Sequence, residues 1–384
     1  MRSLSRKIAS IQPSATVAAN TRAAELKRAG VDVVALTAGE PDFDTPEHVK
    51  EAAKRAIEAG KTKYPPAEGI PELREALAAK FARENGFNVS PQQTLVTVGG
   101  KQALFNFFLA VLDPGDEVII IAPYWVSYPE QVRFADGVPV FVEALPQDGY
   151  VPDPELVKAA ITAKTKAIVV NSPSNPTGAV YPRAVLEELA KLAQDYDLYL
   201  VSDEIYEKLI YQGEAFSPAV IAPEHTVTVN GAAKSFAMTG WRIGYAAGPA
   251  QVIKAMATVS SQSTTAADSI AQWAVLEAIT NPASEDFVRM ARNSFRERRD
   301  YFVAALRNLG LNVPEPQGAF YVMADMSPVH PDDLEATQIL LNQAQVAVVP
   351  GVSFGAPGWV RMSYATSRVA TSFQLCFCAP ASSP

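Results

Sequence analysis

A lysine just after a short apolar run is the residue of this chain best suited to covalent chemistry. Lys234 stands between Ala233 and Ser235 and follows the β-type run Thr226–Val229. This position predicts that a strand ends and a tight turn begins here, so that the amine enters a cleft rather than bulk water. Such an amine can form a Schiff base with an aldehyde, and Arg242, eight residues further on, supplies a cation for an anionic group. The pair predicts a site for pyridoxal phosphate; the alternative is a solvated surface lysine.

Acidic and aromatic side chains follow a second apolar run. The segment Leu198–Val201 is predicted to be a buried strand, and Asp203 and Tyr206 come soon after it. In open α/β sheets, ligands bind beyond the carboxyl ends of the strands. A carboxylate there would hydrogen-bond the pyridinium nitrogen of the cofactor and keep the ring able to accept carbanion electrons, while Tyr206 would donate to the ring oxygen. The alternative for Asp203 is a helix N-cap.

Two further strand ends carry candidate ligand-binding residues. Lys166–Val170 leads into a turn rich in proline, where Asn175 is a neutral donor for the same ring oxygen or an ordinary turn asparagine. Thr94–Val98 leads into the pair Gly99–Gly100 and then Lys101, which is typical of a strand followed by the start of a helix. Glycines let the backbone approach a phosphate, and the exposed N–H groups together with the helix dipole favour its charge.

The order of elements indicates how these residues are brought together. Strand patterns alternate with helical patterns from Thr94 to Tyr245, which predicts an α/β fold with a mostly parallel sheet. Trp125 follows the predicted strand Val118–Ile121 and would stack on an aromatic ring, with ordinary core packing as the alternative. Further on, the patterns predict long helices over 252–280 and 284–309 and strands of a smaller domain over 319–323 and 346–349.

Composition excludes several classes of protein. The 384 residues are enough for two domains, and the net charge of -8 argues against nucleic acid or an anionic membrane as a partner. No apolar run reaches membrane-spanning length and the first residues lack an apolar signal core, so we expect a cytoplasmic protein. The cysteines, Cys376 and Cys378, and three scattered histidines predict neither a disulfide framework nor a metal site.

These residues, in this order, resemble the class I aminotransferases of the fold-type I pyridoxal-phosphate enzymes, in the bacterial branch where aspartate and prephenate aminotransferases overlap. The resemblance extends from Leu4 to Ser367. Its most specific pieces are Ala38–Pro46, Tyr64, Asn175–Gly178, Ser202–Tyr206, the block around Lys234, and Val360–Tyr364. It implies a large domain with a mixed, mostly parallel sheet and a smaller α/β domain. The predicted division is an N-terminal segment 1–45 that contributes to the small domain and the active-site entrance, a large cofactor-binding domain 46–280, and a small C-terminal domain 281–384.

The resemblance implies a role for each residue at the cofactor. Lys234 would hold pyridoxal phosphate covalently and later move a proton at the substrate Cα. The ring contacts would come from Asp203, Asn175, Tyr206 and Trp125. The phosphate contacts would come from the backbone of Gly99, Gly100 and Lys101, from Arg242, and from Tyr64 of a partner subunit. Such sharing implies a homodimer. Many relatives have a serine where this chain has Ala233, so one phosphate contact would be lost or made elsewhere.

For the substrate, the resemblance implies two carboxylate sites. Arg361 would bind the α-carboxylate together with the backbone of Gly39 and the amide of Asn175, because a bidentate fork fixes the plane of a carboxylate. A strand arginine that reaches solvent is the alternative. Lys101 and Thr16 would bind the distal carboxylate. Partner hydroxyls from the region 263–264 would assist them.

The function that the resemblance implies is a ping-pong aminotransferase with aspartate or glutamate as donor and 2-oxoglutarate or oxaloacetate as acceptor. Prephenate, aromatic and alanine aminotransferases remain alternatives. Relatives that use prephenate tend to have a basic residue at position 12, and this chain has Gln12, which disfavours prephenate as a substrate. A more distant alternative is a pyridoxal-phosphate-binding sensor without catalysis; the retained Lys234 and the lack of a basic DNA-binding segment before the domain argue against it.

The tail 368–384 is unlike that of the relatives, which continue with an amphipathic, charge-rich helix. Only Arg368 is charged in this stretch. We interpret the tail as the product of a reading-frame change, with true divergence as the alternative, and expect the small domain to lose a packing element in either case.

Overall fold

The computed structural model describes residues 4–366. The atypical tail 368–384, with both cysteines, lies outside the described residues. Within them, no helix is long and apolar enough to cross a membrane. The same residues contain no group of three or more His, Cys, Asp or Glu side chains placed to hold a metal ion.

The helices over this range vary from one turn to seven. They are α1 (Arg6–Ser10), α2 (Ala15–Arg28), α3 (Glu47–Glu58), α4 (Pro71–Lys80), α5 (Gly100–Val111), α6 (Ser127–Phe134), α7 (Pro154–Ala159), α8 (Arg183–Asp195), α9 (Ala232–Ser235), α10 (Ala250–Ser263), α11 (Ser269–Thr280), α12 (Ala283–Asn308) and α13 (Asp333–Ala344). The strands are β1 (Val34–Ala35), β2 (Thr94–Val98), β3 (Glu117–Ala122), β4 (Val138–Glu143), β5 (Thr165–Asn171), β6 (Tyr199–Asp203), β7 (Thr226–Gly231), β8 (Ile243–Ala247), β9 (Tyr321–Asp325), β10 (Val346–Ala347), β11 (Val349–Pro350) and β12 (Trp359–Ser363).

The central layer is a seven-stranded sheet with strand order β2-β8-β7-β6-β5-β3-β4. Strand β8 runs antiparallel to its neighbours β2 and β7, and the other neighbours are parallel. Strands β5, β6 and β7 are buried along almost their whole length, as expected for continuous apolar runs that helices cover on both faces. The predicted α/β fold with a mostly parallel sheet is confirmed.

Three parallel strands end at the same edge of this sheet. Asn171, the last residue of β5, is level with Asp203, the last residue of β6, and Asp203 is level with Val229 near the end of β7. The chain then turns directly into α9, which carries Lys234. The register therefore places the polar ends of these strands beside one another.

A glycine on β8 lets the segment Gly99–Lys101, which is predicted to contact a phosphate, pack against the sheet. A Cβ atom at Gly244 would lie 2.1 Å from the backbone nitrogen of Gly100. No side chain can be accommodated at that distance, so the loop before α5 can approach the sheet only because position 244 is glycine.

The C-terminal part of the described chain forms a second, smaller sheet. Strands β11, β12 and β9 pair antiparallel, with Arg361 opposite Val349 and Ser363 opposite Tyr321. The short strand β1 pairs in parallel with β10, so the N-terminal segment lies against this region. The domain limits at residues 45 and 280 stay a prediction.

One predicted helix is interrupted. The pattern over 252–280 predicts a continuous helix, but α10 ends at Ser263 and α11 begins at Ser269. Thr265 between them has a positive φ of 68°, which a helix does not allow, and the Asp268 side chain accepts a hydrogen bond from the backbone N–H of Ala271 as the N-cap of α11. The helix predicted over 284–309 is α12, with each end one residue earlier.

Candidate active site

A cavity of about 540 Å³ lies at the strand ends described above. Its lining comes from the seven-stranded sheet, from the three-stranded sheet and from the N-terminal segment. The sequence-predicted residues that line it are Thr16, Gly39, Gly99, Gly100, Lys101, Trp125, Asn175, Asp203, Tyr206, Lys234, Arg242 and Arg361.

Lys234 projects into this cavity from α9, as predicted from the strand and turn that precede it. Its Nζ donates a hydrogen bond to the carbonyl oxygen of Gly39. Burial lowers the pKa of this amine to about 8, and the nearby cations of Arg361 and Arg242 act in the same direction. A fraction of the amine is therefore neutral near neutral pH, which is what a nucleophilic lysine requires.

Asp203 is the last residue of β6, and both oxygens of its carboxylate accept hydrogen bonds. Its Oδ2 accepts a hydrogen bond of 2.7 Å from the hydroxyl of Tyr128, and its Oδ1 accepts one of 3.3 Å from the backbone N–H of Ile205. Burial raises the pKa of Asp203 to about 6, although the bond from Tyr128 opposes that rise. Residues 205–208 form a turn and not a helix, so the alternative of a helix N-cap is wrong.

Asn171 joins two of the predicted site residues. Its side-chain amide donates to the carbonyl oxygen of Asp203 at 2.9 Å, and its Oδ1 accepts from the backbone N–H of Asn175 at 2.8 Å. These two bonds fix the turn that carries Asn175 relative to the end of β6. The position of Asn171 at the end of a predicted strand is the signal that could have identified it.

Arg361 is a buried cation without a carboxylate partner among the described residues. It is 1% exposed, and its guanidinium donates to Asn175 Oδ1 at 3.0 Å and to the carbonyl oxygen of Thr37 at 2.9 Å. Within these same residues its Nε–H has no hydrogen-bond partner. Burial lowers its pKa, yet an arginine remains charged. A buried, incompletely bonded cation favours an anionic ligand.

The start of α5 is a second place suited to an anionic group. Gly99 precedes this twelve-residue helix with a positive φ of 76°, and a Cβ atom there would lie 2.6 Å from Nη2 of Arg242. The guanidinium of Arg242 is oriented by a 2.8 Å bond to the carbonyl oxygen of Thr239. Free N–H groups at a helix N-terminus beside a guanidinium are suited to a phosphate.

Lys101 and Trp125 lie together on another wall of the cavity. The Nζ atom of Lys101 is 4.8 Å from the centre of the Trp125 ring. Burial lowers the pKa of Lys101, and Arg242 adds to this effect. The hydroxyl of Thr16, which lines the same cavity, is buried without a hydrogen-bond partner among residues 4–366. These polar groups can receive a second anionic group.

Three predicted contributions lie away from this cavity. Tyr64 is 90% exposed, and its contact with a cofactor across a subunit boundary stays a prediction. Gln12 lines a neighbouring cavity of about 650 Å³ that also includes Lys101, and its backbone N–H donates to Glu130 Oε2 at 2.9 Å. The segment 263–264 does not line the first cavity; Thr264 accepts a bond from Gln102 instead.

Two tyrosines of the cavity lining were missed in the sequence. Tyr128 holds Asp203, and Tyr321 places its hydroxyl 2.8 Å from that of Tyr206. Tyr128 follows the candidate Trp125 by three residues, so both fall on the stretch after β3. Tyr321 falls in a predicted strand of the small domain, and no sequence signal connects it with Tyr206.

The fold and this site together define a class: the fold-type I enzymes that use pyridoxal phosphate. The chain belongs to the family of class I and II aminotransferases, whose sequence model matches residues 31–376. The predicted resemblance to aminotransferases is thus confirmed.

Relatives at high identity extend along nearly the whole chain. The aspartate/prephenate aminotransferase of Thermus thermophilus is 68% identical over 369 residues, which are 96% of each chain. The aspartate aminotransferase of Geobacillus stearothermophilus is 48% identical over 375 residues, 95% of each chain. The solved structure of aspartate aminotransferase from Thermus thermophilus with maleate superposes with a TM-score of 0.98 at 66% identity, covering 99% of both chains.

Proposed function

We propose that this chain is an aspartate aminotransferase, which transfers the amino group of L-aspartate to 2-oxoglutarate and gives oxaloacetate and L-glutamate in a reversible ping-pong reaction. The observation that carries the proposal is one cavity with both a nucleophilic amine, Lys234, and a buried guanidinium with an unused N–H, Arg361. The names of the relatives support aspartate as the amino donor.

Pyridoxal phosphate fits the residues present. The cavity offers an amine for its aldehyde, a buried carboxylate for its ring nitrogen and an anion site for its phosphate. The residues that would hold it are Lys234, Asp203, Asn175, Tyr206, Trp125, Gly99, Gly100, Lys101 and Arg242, with Tyr64 contributed by a second subunit of a homodimer. When bound, this cofactor supplies an electron sink that stabilises a carbanion at the substrate Cα.

Side chains of the protein bind the substrate and transfer the proton. Arg361, with the backbone of Gly39, binds the α-carboxylate that all amino-acid and oxo-acid substrates share. The amine of Lys234, with its lowered pKa, takes the proton from the Cα of L-aspartate in one half-reaction and delivers a proton to the Cα derived from 2-oxoglutarate in the other. Lys101 and Thr16 bind the distal carboxylate of aspartate and of 2-oxoglutarate. One fixed α-carboxylate site serves both half-reactions, as a ping-pong mechanism requires.

The absorption spectrum of the purified protein tests this proposal. We expect a visible band from the lysine-bound cofactor that disappears when L-aspartate is added and returns when 2-oxoglutarate is added. D-Aspartate, which has the same charge and size, serves as the control and should leave the band unchanged. A band that L-aspartate does not affect would contradict the proposal and favour a binding protein without catalysis.

The first substitution to test this assignment is Arg361→Lys. A lysine keeps the charge but loses the fork, so we expect kcat/KM for every amino-acid and oxo-acid substrate to fall by roughly 10–100-fold, which corresponds to about 1.5–3 kcal/mol. Lys101→Ala should instead affect dicarboxylates selectively. Arg307→Lys, on the exposed side of α12, is the matched control. If Arg361→Lys spared monocarboxylic substrates, the two carboxylate sites would have to be exchanged.

Prephenate is a second candidate substrate because the relative with 68% identity is named for it as well as for aspartate. Position 12 bears on this question. Gln12 and Lys101 line the same neighbouring cavity, where a basic side chain at position 12 could bind a second carboxylate on a bulky substrate. The neutral amide of Gln12 cannot form that charge-assisted hydrogen bond, so kcat/KM for prephenate should be low.

Gln12→Lys is therefore expected to raise kcat/KM for prephenate by roughly 10–100-fold and leave the aspartate reaction unchanged, since aspartate is too short to reach residue 12. Gln12→Met, which has similar length but no charge, should not raise the prephenate rate. The measurement is the pair of specificity constants in each variant. A proportional change for both substrates would show that position 12 acts on packing or closure instead.

A further inference from the structure

Tyr321 touches both of the groups assigned above to substrate and to cofactor. It is the first residue of β9 and is buried, with 0% of its surface exposed to solvent. Its side chain is nevertheless part of the cavity lining. It pairs across the small sheet with Ser363, two residues from Arg361.

The hydroxyl of Tyr321 is 2.8 Å from that of Tyr206. Burial raises the pKa of each phenol, so both stay protonated at any pH at which the protein works. Each phenol has one proton, and only one of the two protons can lie between the oxygens. When Tyr206 donates to a ring oxygen in the cavity, it must therefore accept the proton of Tyr321.

The ring of Tyr321 covers the guanidinium of Arg361. The Cζ atom of Arg361 is 4.5 Å from the centre of the Tyr321 ring and 5.0 Å from that of Phe354. Contacts with two aromatic rings restrict the plane of the guanidinium, and this plane determines how it meets a carboxylate.

We propose that Tyr321 is a positioning residue that orients the hydroxyl of Tyr206 toward the cofactor oxygen and, through its ring, holds Arg361 in the plane that binds the α-carboxylate. This inference rests on the proposed function. The two effects belong to different parts of one side chain, so two substitutions separate them.

Tyr321→Phe removes the hydroxyl and keeps the ring. Donors to the cofactor oxygen stabilise negative charge on it and so reduce the proton affinity of the adjacent lysine linkage. We expect the pH midpoint of the visible band to rise by roughly half a unit, since one indirect hydrogen bond is weakened. The dissociation constant of maleate, a dicarboxylate that cannot be transaminated, should stay within about twofold of the wild-type value because Arg361 keeps its ring contact.

Tyr321→Leu removes both parts. It should raise the pH midpoint as Tyr321→Phe does and also weaken maleate binding by about fivefold or more. The matched control is Tyr150→Phe, because Tyr150 is a buried tyrosine whose hydroxyl has no hydrogen-bond partner in the part of the chain that the structure describes. This variant should shift neither quantity.

The outcomes separate this inference from the function on which it rests. A normal band whose midpoint in Tyr321→Phe equals that of Tyr150→Phe would overturn the role of the hydroxyl. Wild-type maleate affinity in Tyr321→Leu would overturn the role of the ring. The absence of any visible band in the wild-type protein with pyridoxal phosphate would instead refute the proposed function, and this inference with it.

Discussion

Lys234→Ala is expected to abolish transamination while the protein still binds pyridoxal phosphate without a covalent bond. The amine is both the site of attachment and the base at the substrate Cα, so its removal should lower kcat by more than about four powers of ten. The phosphate and ring contacts come from other residues, among them Arg242 and Asp203, and they remain in the variant. The measurement combines single-turnover kinetics with spectra of the reconstituted variant.

The control for this substitution is Lys254→Ala, because Lys254 is an exposed lysine on α10. Its rate and spectrum should equal those of the wild type. Retained turnover in Lys234→Ala would mean that another amine carries the cofactor, and the site would have to be assigned again.

Asp203→Asn is expected to lower the rate of transamination by about three powers of ten with the fold intact. A neutral amide cannot stabilise the protonated ring nitrogen, so the ring loses much of its capacity to accept electrons. The substitution keeps the shape of the side chain: the asparagine oxygen can accept from the backbone N–H of Ile205, while its NH2 group donates to the Tyr128 hydroxyl, which donates in the wild type. The measurement is kcat for L-aspartate together with the cofactor dissociation constant, which should change much less than kcat.

The stability of the cofactor-free protein provides a second readout for this variant. Burial raises the pKa of Asp203 to about 6 from 3.8, so the ionised carboxylate lowers the free energy of unfolding. This loss of stability is complete above pH 6 and absent below pH 3.8, where the group is protonated in both states. At pH 8 the asparagine variant should therefore be no less stable to heat than the wild type. Asp195→Asn, at the exposed end of α8, is the control. A near-normal rate in Asp203→Asn would reduce Asp203 to a structural residue.

The strand ends were predictable because burial on both faces requires continuous apolar runs, and the sequence shows where those runs stop. This is why the sequence alone could predict that Asp203 and Lys234 lie at the ends of buried strands. Their relation to Asn171 was less accessible, because the level register of β5 and β6 depends on how the strands pair.

Contacts between the two sheets could not be predicted. Tyr321 and Tyr206 are 115 residues apart in the chain, and neither a period nor a spacing connects them. Arg361 and Asn175, which hydrogen-bond at 3.0 Å, differ in one respect: no spacing connects them either, but the resemblance to aminotransferases predicted that both lie at the α-carboxylate. The break between α10 and α11 was missed for a local reason. The apolar pattern continues through the break, but the positive φ of Thr265 is incompatible with a helix.

The location of the cofactor on the chain decides whether Lys234 is the reactive amine. The protein loaded with pyridoxal phosphate is reduced with borohydride, which makes the lysine linkage permanent, then digested and its peptides sequenced by mass spectrometry. We expect the label on Lys234 alone, and no label when the protein is first saturated with L-aspartate, because the amine is then free. Labelling of a different lysine, or an unchanged yield at Lys234 in the presence of aspartate, would contradict it.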